Sequence, residues 1–150
     1  MRAAIKLSRQ KMRRNQGGPF GAVVVRKNKI IGRGWNCVPS ANDPTAHAEI
    51  LAIRDACRKL KTFKLDDCEI YVSCEPCPMC LAAIYWARLK KIFYASTRKD
   101  AAEIEFDDDL IYRELSRPVS RRKIPMKPLL RTEALKVFEE WKSKPAKILY

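Results

Sequence analysis

His47-Ala48-Glu49 and Pro76-Cys77-Pro78-Met79-Cys80 are the two stretches on which the fold turns. Each stands at the start of a helical pattern. Ile50, Ile53, Cys57 and Leu60 follow His47 at helical spacing and predict one buried face. Pro76 and Pro78 suit a helix start, and that helix runs from Cys77 or Pro78 to about Arg88. Between the two helices, Glu69–Ser73 reads as a strand. Metal-ligating side chains therefore stand at the beginnings of two helices that flank one strand. One His and two Cys make three ligands, and His47 is the only histidine. Structural zinc takes four protein ligands, whereas catalytic zinc keeps three and leaves the fourth position to water. The set reads as a catalytic centre.

Outward from this core, residues 2–14 predict a short helix with Ala4, Ile5, Leu7, Ser8 and Met12 inward, broken by Gly17-Gly18-Pro19-Phe20-Gly21. Phe20–Val25 and Lys29–Arg33 are apolar runs separated by Lys27-Asn28, the pattern of a hairpin. Val38–Thr45 reads as a polar loop, with Asp43 as N-cap and Pro44 as first residue of the helix that carries His47. Lys91–Ala95 reads as a fully buried strand. Acidic residues at Glu103–Asp109 lead into a helix ending near Pro118. Ile124–Arg131 is expected as an edge strand, because Pro125 and Pro128 bar it from a sheet centre. Thr132 would cap a last helix in which Leu135, Phe138 and Trp141 recur at helical spacing. The β-β-α-β-α-β-α order predicts an α/β fold, a mixed central sheet sandwiched by helices. No repeat or linker interrupts it, so residues 1–150 are expected to form a single domain.

Composition bounds the rest. Apolar residues make up 47% of the 150, which fits a folded globule rather than a disordered or fibrous chain. No run approaches the roughly 18 apolar residues of a membrane span. Met1-Arg2-Ala3-Ala4-Ile5-Lys6 lacks the apolar stretch of a secretory signal, so a cytoplasmic protein is expected. In that compartment the six cysteines favour metal binding or burial over disulfides. The formal charge of +14 raises the question of a nucleic-acid partner. The basic residues are spread along the chain, however, and a solvated basic surface is the favoured reading.

Cys77 and Cys80 lie one turn apart, so both sulfurs can face one point. Free N–H groups at a helix start favour thiolate over thiol. Two thiolates would balance one Zn²⁺ per chain, with neutral His47 as the third ligand. H-x-E followed by P-C-x-x-C is the signature of zinc-dependent nucleobase deaminases, and it assigns Glu49 as proton carrier. Periodicity alone does not, since residues two apart on a helix point about 200° apart. A redox reading of the Cys77/Cys80 pair leaves His47 and Glu49 without a role. The other four cysteines read as small buried residues.

Beyond the signature, the chain resembles bacterial guanine deaminases of the cytidine-deaminase-like superfamily over nearly its whole length. The matching stretches are GGPFGAVVV at 17–25, NDPTAHAEI at 42–50, SCEPCPMC at 73–80, AIYWAR at 83–88 and FDD at 106–108, together with the terminal Tyr150. The resemblance implies a three-layer α/β/α sandwich and a homodimer that exchanges its C-terminal segments, about 132–150. It implies that His47, Cys77 and Cys80 hold zinc and that Glu49 shuttles protons. Phe20 would stack on the purine, Asn36 would hydrogen-bond its edge and Trp86 would shape the pocket wall. Asp108 would serve as a second proton carrier toward the leaving amine, and Tyr150 would seal the partner subunit's pocket. The reaction implied is hydrolysis of guanine to xanthine and ammonia.

Three other readings share part of this pattern. A tRNA adenosine deaminase has the same signature and would account for the charge, but needs a site open to a flipped base. A guanosine deaminase differs mainly in pocket room for ribose. A basic nucleic-acid-binding module with a remnant zinc site would bind RNA without releasing ammonia.

Overall fold

Gly21–Arg26 (β1) and Lys29–Trp35 (β2) form the expected hairpin, with Lys27 and Asn28 both at positive φ in its tight turn. In this computed structural model, residues 1–149 are described. β1 also pairs antiparallel with Cys68–Cys74 (β3), and β3 pairs parallel with Lys91–Ser96 (β4). The order is β2-β1-β3-β4, a mixed sheet as the element pattern implies.

Three helices cover the sheet: Arg2–Arg13 (α1), Ala48–Leu60 (α3) and Pro78–Trp86 (α4), with a short helix Val38–Ala41 (α2) in the connection after β2. Strand alternation decides which face each takes. A Cβ on Gly21 would stand 2.5 Å from the Ala4 carbonyl oxygen of α1. A Cβ on Gly34, next to Gly21's cross-strand partner Trp35, would meet the Ala48 carbonyl of α3 instead. α1 and α3 therefore lie on opposite faces. Ile84 and Ala87, at the end of α4, join the α3-side core of Ala22, Val24, Ile70 and Val72.

The face of α3 that meets the sheet is not the expected one. Ala48, Ala52 and Ala56 are fully buried, whereas Ile53, Cys57 and Leu60 pack around them half-buried. Gly32 and Gly34 let the helix backbone come so near β2 that only alanine fits beneath it, and the larger side chains are displaced to the flanks.

Other expectations fail locally. Ile5 and Met12, expected inward on α1, are exposed because only Ala4 and Ser8 fit against the sheet, and the expected loop Val38–Thr45 opens with α2. Asp43 does not cap α3: its carboxylate accepts the Thr45 amide and hydroxyl at 2.8 and 2.7 Å, an Asx turn that closes the loop before the helix. β4 is not fully buried but lies at the edge of the sheet, where Tyr94 is exposed. The segment 124–130 forms no strand. Thr132 falls inside Arg131–Ser143 (α7), whose N-cap is Leu130 with φ 52° and no side-chain cap bond.

The chain divides into two compact units, Met1–Asp108 and a second beginning at Asp109. The first ends with Arg98–Ala102 (α5), started by a capping box in which Thr97 and Asp100 satisfy each other's amides. The second contains Asp109–Ser116 (α6), a 3-10 turn at Val119–Arg121, and α7. None of its described residues is buried.

Candidate active site

His47 is the N-cap of α3, with extended backbone at φ −75° and ψ 155°. Helical rotation therefore does not relate it to Glu49, and the angular objection to their sharing a site disappears. Both line one cavity of about 450 Å³. Cys77 is likewise the extended N-cap of α4, and Cys80 sits in that helix's first turn. The parallel β3–β4 pair and α3 bring the two helix starts together.

His47 Nδ1 lies 3.6 Å from Cys77 Sγ and 3.5 Å from Cys80 Sγ, and the three donor atoms lie within 4.8 Å of one another. Tetrahedral zinc with bonds of about 2.3 Å to sulfur and 2.0–2.1 Å to nitrogen separates its ligands by about 3.6 Å. The donor set fits that ion in both chemistry and spacing, and this group could bind one zinc.

The site's electrostatics follow from burial and these contacts. The hydrogen bond from Cys80, reinforced by His47, pulls the Cys77 thiol down to about 4 despite its burial. The same pairing, with burial, pushes Cys80 up. Contact with Cys77 raises His47. Glu49 is buried, and desolvation raises its carboxyl above the ordinary carboxylate range. Asp108, half-buried in the cavity wall, is raised by burial and then by the nearby Cys77.

Asn36 is buried at the end of β2. Its Oδ1 accepts the Gly18 and Val38 amides at 3.3 and 3.4 Å, which leaves the amide NH₂ as the group it offers the cavity. Phe20 packs edge-to-face against Phe106, with centroids 4.9 Å apart and planes at 88°. Trp86 is placed differently from the expected pocket wall. It stands 64% exposed at the end of α4 and does not line this cavity, because α4 directs its first turn toward the site and its last turn away. Tyr150 lies outside the described residues.

Sequence reasoning assigned no role to Phe106, Glu75 or Arg98, all of which line the cavity. Glu75 accepts the Arg98 amide at 3.0 Å, and its own amide donates to the Ser96 carbonyl at 2.8 Å. It thereby ties the cysteine loop to the start of α5. Phe106 and Glu75 fall inside FDD and SCEPCPMC, so those motifs carried the signal. Arg98 gave none.

Residues 1–96 match the family model of the cytidine and deoxycytidylate deaminase zinc-binding region. The chain belongs to this zinc-dependent deaminase family. As a deaminase it is a hydrolase, and it is a homologue of guanine deaminase. It is 50% identical to the guanine deaminase of Bacillus subtilis over 143 residues, 95% of this chain and 92% of that protein. The X-ray structure of the Bacillus subtilis guanine deaminase matches it with a TM-score of 0.96 over 99% of this chain and 95% of the other. Similarity to tRNA-specific adenosine deaminases covers less. The Buchnera aphidicola enzyme is 46% identical over 88 residues, 59% of this chain and 58% of that protein.

Proposed function

We propose that this deaminase hydrolyses guanine to xanthine and ammonia, a step of purine breakdown. The observation that carries the reading is a cavity joining a three-ligand metal group, a buried carboxyl, an aromatic pair and an amide donor. It lies in a chain half identical to a guanine deaminase along nearly its full length.

His47, Cys77 and Cys80 would hold zinc, which supplies Lewis acidity and lowers the pKa of water to about 7. Glu49 accepts the proton of the attacking water and returns it to the ring nitrogen beside C2. Asp108 protonates the departing 2-amino group as the C2–N bond breaks and ammonia leaves, and it recovers a proton from the new C2 hydroxyl as that group becomes the xanthine carbonyl. Phe20 stacks on the purine, held in orientation by Phe106, and the Asn36 amide donates to the purine's acceptor edge. The apolar part of the wall excludes bulk water, which would weaken each of these electrostatic interactions. A pocket-wall role for Trp86 rests on the family resemblance alone.

Residues 1–150 are read as one deaminase domain whose C-terminal segment, about 132–150, is exchanged within a homodimer. Tyr150 then closes the partner subunit's cavity. Supporting this, Leu110, Phe138, Trp141, Ile148 and Leu149 are all exposed. Such a surface gains by association, since burying one Leu or Phe side chain contributes about 1.5–3 kcal/mol. Six free cysteines suit a reducing, cytoplasmic setting, and no helix among the described residues is long and apolar enough to cross a membrane.

Ammonia release measured side by side from guanine, guanosine, cytosine, adenine and tRNA tests the assignment. Guanine should be the preferred substrate by a wide margin. Preference for tRNA or guanosine would overturn it.

A further inference from the structure

The first 42 residues contain ten Lys and Arg and no Asp or Glu; the first carboxylate is Asp43. In sequence these cations look scattered. The helix gathers four of them. Arg2, Lys6, Arg9 and Arg13 fall at i, i+4, i+7 and i+11 of α1 and line one shallow groove with Ile5 and Gln10. All four are exposed, and none forms an ion pair or hydrogen bond through its side chain among the described residues. At 1.5 Å rise per residue, successive charges step by about 4.5–6 Å along the axis.

Such a row is costly to assemble without a partner. Like charges one turn apart repel by a few tenths of a kcal/mol each, and α1 carries no acid to offset them. The opposite side of α1, with Ala4 and Ser8 buried against the sheet, is already occupied. An interfacial membrane helix needs that apolar face free, so a lipid surface is a poor occupant. A single small anion would engage one or two of the four. A linear polyanion engages all of them.

We propose that the outward face of α1 binds the phosphodiester backbone of a single-stranded nucleic acid, without reading its sequence. The groove lies across the sheet from α3, which carries His47 and Glu49. Binding there is therefore independent of the deaminase cavity and does not present a base to it.

The test uses the zinc-loaded full chain and a fluorescein-labelled, mixed-sequence 20-nucleotide RNA, with anisotropy followed from 50 to 200 mM KCl. Four phosphate contacts give a slope of log K against log salt of about −2.8, so that fourfold rise in salt weakens binding about 50-fold. The variant R2Q/K6Q/R9Q/R13Q should lose that slope while turning guanine over at the native rate, and each single change should lower it by about 0.7. K136Q/K142Q/K144Q/K147Q, with the same loss of net charge elsewhere, should keep the slope. Guanine at saturation should not displace the RNA. Absent RNA binding, equal loss in the two neutralised variants, displacement by guanine, or capture by anionic vesicles in place of RNA would each overturn the proposal.

Discussion

Gly34→Ala isolates the dependence of the site on one close approach. The Gly34 backbone lies outside the left-handed region, so alanine meets no conformational penalty and the whole effect is space. A Cβ there would stand 2.0 Å from the Ala48 carbonyl oxygen and 2.4 Å from the Ala52 nitrogen. Ordinary contact begins at 3.4 Å, so α3 must retreat from the sheet by about 1.4 Å. The obstructing atoms are helix backbone and cannot rotate away. Overpacking costs typically 1–3 kcal/mol, and a rigid helix places this change near about 3. For a chain of this size that lowers Tm by about 6–12 °C. The same retreat moves His47 and Glu49 relative to Cys77 and Cys80, and a displacement of about 1 Å is worth about 100-fold in rate. Thermal melting, zinc content and guanine turnover of the purified variant measure all three effects. Adding Ala48→Gly should not rescue it, because the clash is with a carbonyl and not with the alanine methyl. A Gly34→Ala protein that melts and turns over like the native enzyme, or one that Ala48→Gly restores, would refute the reasoning.

Glu49→Gln should retain zinc and lose about 10²–10⁴-fold in turnover, with a melting temperature equal to or above native, since a neutral amide replaces a buried acid; near-native turnover would assign the proton to another group. Chelation should abolish activity and lower Tm, and readdition of zinc should restore both, because an ion bound only by the folded state adds its binding free energy to stability. Asp55 tests pH dependence away from the metal. Burial alone would raise its carboxyl, but hydrogen bonds from Lys59 and the Arg33 amide outweigh it and hold the group below the usual carboxylate range. That stability is present above the unfolded pKa of about 3.9 and lost as pH falls through the lower folded value. Asp55→Asn should therefore cost about 1 kcal/mol at pH 7, a modest figure because Arg58 and Lys59 are solvated, and the gap in urea unfolding should close below about pH 4; a gap that persists there would exclude the charge as its source. Deleting residues 147–150 should leave zinc content intact and sharply reduce guanine deamination. An equal mixture of that protein with Glu49→Gln should recover about a quarter of native activity after subunit exchange, since one site of each hybrid dimer is whole. No recovery would mean the tail acts within its own chain.

The sequence by itself determined the chemistry and the element order. His47, Glu49, Cys77 and Cys80 were legible as a group because the H-x-E and P-C-x-x-C signature names those residue types. Pro76 and Pro78 mark the start of α4, whereas Pro44 lies ahead of the start of α3 at Ala48. The hairpin was legible because its strands and turn are contiguous. Tertiary structure decided which faces those elements use. Ile50, Ile53, Cys57 and Leu60 have the right period for a core face, yet the alanine row lies inward, because Gly32 and Gly34 on another element set the distance of approach. The apolar β4 reads as buried until its position at the sheet edge is known. Thr132 looks like a cap until the chain direction before α7 is known. That His47 and Glu49 share one cavity also depended on a backbone angle, the extended N-cap, which no periodicity encodes. Local sequence specifies which groups are available and where helices and turns can begin. Which atoms end up 2 Å or 4 Å apart is set by packing between segments distant along the chain, and that separation is what makes three ligands a metal site.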